Sequence, residues 1–264
     1  MSTEIKVKSS NAGNGWKARW SNGVIGEVEC ASWNGFLDFL NDDSALKEKH
    51  HFYFRGHASD DWKLEATLKR NTESNNLTKL EEQTLGAFKK HCLGRRGHNP
   101  PQLNENEWWA LGQHYGLKTP LLDWSESPYI SAFFAFNDAD IGDGNVAIWM
   151  LSKSINETPC IEKLRKEKQL EFVHPYLDEN ARLINQRGLF VRSPDMMCIE
   201  EWAKDIEKVD NKMLLAKILI PRSEQKSALD SLDKMNINEF TLFPDLSGAG
   251  KYSNYVAKRS LSTN

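Results

Sequence analysis

WWALGQHYGLKTPLLDWSESPYISAFFAFND, residues 108–138, carries the pattern of two helices with a strand between them. Up to Tyr115 the spacing is helical, with Trp108, Leu111 and Tyr115 recurring at three and four residues. Gly116 is placed to close that helix, and Pro120 prevents its continuation. A short apolar run then carries Asp123, Trp124 and Ser125, and Pro128 opens the second helix. Ile130, Ala132, Phe133, Phe134 and Phe136 make this helix apolar almost throughout, which predicts burial on all sides. Gln113, His114, Thr119, Asp123 and Ser125 are thus held at the ends of stiff apolar elements, a common way of assembling a site.

Upstream, Trp16 to Trp20 and Val24 to Cys30 flank Ser-Asn-Gly at 21–23, a hairpin signal because Asn and Gly tolerate positive φ. Ser32 is placed to N-cap a helix through Phe36, Phe39 and Leu40. Phe52, Tyr53 and Phe54 read as a buried strand ending at Arg55-Gly56. A helix is predicted from about Leu77 to Leu93, its end rich in positive charge from Lys89, Lys90, Arg95 and Arg96. Downstream come a turn at Gly142-Asp143-Gly144, a buried strand from Val146 to Leu151 and an exposed charged helix from Glu162 to Glu171. Gln186 to Phe190 reads as a loop leading into a strand, Met213 to Ile220 as a core strand closed by Pro221, and Arg222 to Met235 as a helix. The last ten or so residues are polar and expected to fray. Strands separated by helices, without a strict βαβ rhythm, indicate an α+β domain.

The 264 residues suffice for one large domain or two small ones, and nine tryptophans, six tyrosines and twelve phenylalanines provide the apolar area for a core. No apolar run approaches ~18 residues, so no membrane span is expected. MSTEIKVKSS at the N-terminus lacks the apolar segment of a signal peptide. Four scattered cysteines with no C-x-x-C pair suit reduced thiols and a cytoplasmic location. A formal charge of −3 gives no global attraction to nucleic acid, so such contact would need a local basic patch.

There is no P-loop, G-x-G-x-x-G, G-x-S-x-G or H-E-x-x-H. His50, His51 and His57, and again His91, Cys92 and His98, lack zinc spacing, so no metal is expected. Arg55 at a strand end fits either a buried ion pair with an acid such as Asp123 or Asp61, or a planar grip on a phosphate with Gly56 admitting the ligand. His114 at a helix end fits either a local hydrogen bond or a site imidazole. Ser125 and Ser127 are also N-cap candidates. A hydrolase using His114 with Asp123 lacks an evident nucleophile.

FRG at 54–56, QHYGLKTPLLDW at 113–124, NQRGLF at 185–190 and FTLFPDLSG at 240–248 together resemble the FRG domain family, from about His50 to Tyr252. The chain has Lys118-Thr119-Pro120 where that family is expected to have Pro-Thr-Arg. The hairpin and helix read at 1–45 are then expected to pack on an FRG domain at 46–256. A weaker resemblance, to Arg-Ser-Glu type ADP-ribosyltransferases, rests on three elements: Tyr53-Phe54-Arg55-Gly56, Leu121 to Ser125 followed by Ser131-Ala132-Phe133-Phe134-Ala135, and Asn185-Gln186-Arg187-Gly188. It implies a central mixed or split sheet with flanking helices, ADP-ribosyltransferase-like, and NAD as substrate. Arg55 would grip the NAD diphosphate with Gly56 and His57 beside it. His114, Tyr115, Thr119 and Ser125 would surround the ribose or nicotinamide, and Gln186 would face the acceptor. Gly188 stands where those enzymes place an acid, so Asp123, Glu239 or Asp245 would have to stabilise the oxocarbenium-like state. The resemblance further implies a bacterial toxin or antiphage effector acting on RNA, DNA or protein, with a neutralising antitoxin partner. A non-catalytic nucleotide- or nucleic-acid-binding module is the alternative.

Overall fold

An unbroken run of buried residues from Val146 to Ser152 explains the centre of the molecule, because their strand, β5 (Asn145–Ser152), is covered on both faces. Ile148 and Met150 point into one core cluster, Trp149 and Leu151 into another. The computed structural model describes residues 15–20, 25–42, 52–70, 72, 76–139, 142–157, 159–162, 166–175, 181–204 and 215–261. Among these, the other strands are β1 (Trp16–Trp20), β2 (Ile25–Cys30), β3 (Phe52–His57), β4 (Leu121–Ser125), β6 (Glu171–Val173), β7 (Gly188–Arg192) and β8 (Leu215–Pro221). They form one sheet in the order β1-β2-β8-β5-β3-β4-β7-β6. Every neighbouring pair is antiparallel except β2 with β8, so the sheet is mixed.

The helices are α1 (Trp33–Asn41), α2 (Thr67–Arg70), α3 (Leu77–His91), α4 (Glu105–His114), α5 (Pro128–Asn137) and α6 (Pro159–Glu162). There follow α7 (Ala181–Asn185), α8 (Ile199–Lys204), α9 (Gln225–Lys234), α10 (Glu239–Leu242) and α11 (Leu246–Leu261). Sheet and flanking helices make an α+β fold. One face of the sheet packs Phe54, Ile148, Met150 and Ile218 against residues of α1, α5 and α9. The other face gathers Tyr53, Trp124, Trp149 and Val191 with Ile199 and Trp202 of α8. A third cluster joins Leu68 of α2, Leu85 of α3 and Trp109 of α4 to Leu121 and Phe190. No helix among the described residues is long and apolar enough to cross a membrane. Cys30, Cys92 and Cys198 are free thiols.

Local signals explain the caps. Ser32 accepts from the Gly35 N–H at 3.1 Å. Asn104 and Glu107 form a reciprocal capping box on α4. Ser127, rather than Ser125, N-caps α5, with Pro128 in its first turn. Gly116 has φ +85°, the left-handed closure expected after α4.

Gly56 acts in packing. A Cβ there would lie 2.0 Å from the Ser131 carbonyl oxygen, so β3 and α5 meet backbone to backbone. The close approach of the helix is one role that only glycine can fill at this position. Several expectations change. β3 continues past Arg55-Gly56 through His57. Between Glu162 and Glu171 the described residues form a 3-10 turn at Lys166–Lys168 and the start of β6, in place of a continuous helix. The polar C-terminal segment is helical to Leu261. The hairpin turn expected at 21–23 lies outside the described residues, whereas its strands pair from Trp16 opposite Cys30 to Trp20 opposite Gly26.

Candidate functional site

β3 and β4 pair at a single position, Phe54 opposite Ser125, while both make longer ladders with their outer neighbours. Beyond that point no further backbone pairing joins the two strands, which leaves an opening in the sheet. Arg55 bridges the opening: its Nη1 donates to the Asp123 carbonyl oxygen at 2.7 Å and lies 3.6 Å from the Asp123 carboxylate. Its Nε donates to His57 Nε2 at 3.1 Å. His57 Nδ1 faces the Trp62 carbonyl oxygen at 3.2 Å. Because Nε2 accepts from Arg55, the His57 proton belongs on Nδ1, which donates to Trp62. Burial, helped by the positive charge of Arg55, pushes the His57 pKa down to about 2, so the ring is neutral. Burial lowers the Arg55 pKa as well, with Asp123 opposing, and a guanidinium stays charged under both influences.

A cavity of about 380 Å³ occupies the opening, within the ~300–1,000 Å³ usual for small-molecule sites. Arg55, Gly56, His57, His114, Asp123, Ser125 and Gln186, all expected from sequence, line it. Asp123 keeps 63% of its side chain exposed. His114 ends α4, and burial followed by the Arg182 charge lowers its pKa against the pull of Asp245. No hydrogen bond engages its ring nitrogens among the described residues. Ser125 is committed elsewhere: its hydroxyl donates to the Gln186 carbonyl oxygen at 2.7 Å and accepts from the Ser127 N–H at 3.0 Å. It therefore ties the end of β4 to the start of α5 and to the turn before β7. Gln186 is braced in turn by its Nε2, which donates to the Leu242 carbonyl oxygen at 3.2 Å. Arg187, with φ 45°, makes the left-handed turn into β7.

Three expected residues stand outside the lining. Tyr115 is 73% exposed, stacked edge-on against His114. Thr119 is fully buried and holds the cavity from behind: its hydroxyl donates to Gln113 Oε1, and its backbone joins Thr67 of α2. Glu239 is buried in the first turn of α10. Asp245, also considered as the acid, is paired with Arg182, which holds its carboxyl below the usual range. At Gly188 a Cβ would meet Leu183 Cδ1 at 2.6 Å, so a longer side chain there would require Leu183 to move.

Sequence reasoning missed Arg70, Arg182, Trp62, Phe134 and Phe243, all in the lining. Arg70 is exposed and makes no ion pair among the described residues. Arg182 lies four residues before Gln186, a spacing that puts both on one helical face and that could have revealed it. Among the described residues no group of three or more His, Cys, Asp or Glu side chains could hold a metal. The lining suits an anion with an aromatic part: guanidiniums at Arg55, Arg70 and Arg182, walls at Trp62, Phe134 and Phe243, and accessible carboxylates at Asp123, beside Arg55, and at Asp138.

A family model described as FRG domain matches residues 50–143. No curated protein and no solved structure matches the chain.

Proposed function

We propose, on the premise that this chain carries an FRG domain at residues 50–143, that the cavity binds NAD and transfers its ADP-ribosyl group to an acceptor. The observation that carries the reading is the fixed Arg55 guanidinium with the Asp123 carboxylate 3.6 Å away, in a cavity shared with His114 and Gln186. Arg55 and Arg70 bind the diphosphate, and Trp62, Phe134 and Phe243 offer faces for the planar rings. In the reaction the bond between nicotinamide nitrogen and ribose C1 breaks, and its electron pair leaves with nicotinamide. An acceptor oxygen or nitrogen bonds to that carbon and gives up its proton. Asp123 stabilises the positive charge that develops on the ribose, and the neutral His114 ring accepts the acceptor's proton. The position of Arg55 beside the single pairing of β3 with β4 supports an ADP-ribosyltransferase-like reading of the fold.

The test is release of labelled nicotinamide from NAD by the full chain. Arg55→Ala is expected to lower release at least ~100-fold and Asp123→Asn to lower kcat by a similar factor while NAD still binds. Retained release in Arg55→Ala overturns the assignment. A second reading, a nucleotide-binding module without turnover, is favoured by Gly188 and its contact with Leu183, because the acid of the resembled enzymes has no counterpart there. NAD binding without nicotinamide release, whatever acceptor is offered, selects that reading.

A further inference from the structure

The end of α3 and the turn after it form a positive surface that the cavity does not use. Lys89, Lys90 and His91 end the helix, and Arg95 and Arg96 follow within the next turn. Lysines in a last helical turn complement the helix dipole, but that effect fades beyond the turn and does not account for Arg95 and Arg96. Lys90 and Arg95 are exposed, and neither they nor Lys89 makes an ion pair among the described residues. The carboxylates of nearby elements are engaged elsewhere: Glu81 and Glu105 with Arg192, and Glu107 with the N–H of Asn104. Trp108 holds part of the cluster in place, with the Arg96 guanidinium 4.7 Å and the Lys89 ammonium 5.9 Å from its ring centre.

This surface packs on the helix whose end reaches the cavity. Phe88, beside Lys89, packs edge-on against Trp108 and lies 3.4 Å from where a Cβ on Gly112 would sit. Gln113 and His114, the next residues of α4, line the cavity. Trp108 and His114 are about 9 Å apart along the helix axis.

We infer that the α3 end and Trp108 hold the phosphodiester backbone of a single-stranded nucleic acid whose neighbouring nucleotide reaches the cavity as acceptor. The second half of this inference rests on the transferase reading; the binding itself does not. Closely spaced cations without ion pairs match a polymer with one charge per residue, and binding should release counterions accordingly.

The experiment measures fluorescence anisotropy of labelled single-stranded RNA and DNA oligonucleotides, with polyglutamate as a competing polyanion, over a salt series. The full chain should bind an oligonucleotide with steep salt dependence. The double variant Lys90→Glu/Arg95→Glu should bind at least ~10-fold more weakly, with a log–log salt slope shallower by about 1.4 if two phosphate contacts of ~0.7 each are lost. Lys90→Gln/Arg95→Gln should fall between them, and circular dichroism checks that both variants fold. Preference for RNA over DNA, or the reverse, identifies the acceptor class. Equal binding by parent and variants, or polyglutamate competing as well as unlabelled oligonucleotide, overturns the proposal. Nicotinamide release without oligonucleotide should be unchanged in both variants. Oligonucleotide binding lost in the variants while the parent releases no nicotinamide would leave the surface standing and remove the transferase reading.

Discussion

On the β3 side of the cavity, Arg55 Nε and Nη1 are bonded to His57 and to the Asp123 carbonyl, and His57 is bonded to Trp62. Across from it, among the described residues, the His114 ring has no hydrogen bond and the Gln113 side chain uses only its oxygen, toward Thr119. One wall is pre-organised and the other keeps free donors and acceptors. A group that must meet a phosphate in a fixed orientation loses less freedom on binding when the protein has already fixed it. A group that must adapt to an acceptor gains from being unpaired. The contrast assigns fixed recognition to β3 and adaptable contact to the end of α4.

The largest expected effect tests the support beneath the fixed wall. Gly56→Ala places a methyl group 2.0 Å from the Ser131 carbonyl oxygen, so α5 must leave β3. Urea denaturation should show a loss of at least ~3 kcal/mol, or no cooperative transition. A melting temperature close to the parent's would show that strand and helix are not in backbone contact.

His57→Leu should come next. It removes the acceptor of a mostly buried guanidinium N–H and the donor to Trp62, which should cost roughly 2–3 kcal/mol, with His57→Gln recovering part. The His57 pKa is about 2 folded and ~6.5 unfolded, so between those values the unfolded chain binds the extra proton. Stability from this group is therefore complete above pH ~6.5 and falls as pH drops, by roughly 1.4 kcal/mol per pH unit. The smaller lowering at His114 acts in the same direction. Denaturation measured from pH 7 to pH 5 should lose much of its slope in His57→Gln; an unchanged slope would assign the acid sensitivity to other groups.

The smallest effect on stability belongs to the free wall. His114→Gln should change unfolding free energy by less than ~0.5 kcal/mol, because no hydrogen bond is broken, while reducing nicotinamide release. A large loss of stability would mean that the ring is structural and that the two walls are alike.

Patterns local in sequence were legible. The aromatic run of β3, the Ser32 cap, Gly116 and Pro128 each announce a conformation within a few residues. Seven residues expected at the site do meet in one cavity, chiefly because strand ends and helix ends fix them. Apolar spacing announces α4 but not its buried face: Trp109, Ala110 and Gly112 are buried and Tyr115 is exposed. Small residues allow that approach, since Gly112 lies against Leu117 and Phe88, and apolarity alone does not signal it. The charged 162–171 segment looked helical because nothing local reveals that Glu171–Val173 will pair with β7. Arg70 was hidden for the same reason. Its helix is tied to the site through Thr67 and Thr119, fifty-two positions apart.

β2 and β8 pair in parallel, Ile25 beside Leu215, and the Trp33 N–H donates to Glu224 at 2.9 Å across 191 positions. During synthesis the first hairpin must therefore wait for the 191 positions between Trp33 and Glu224 to leave the ribosome before it finds its place. Trp16, Val28 and the apolar face of α1 stay uncovered in the meantime, so chaperone demand should persist over that interval and fall sharply once β8 emerges.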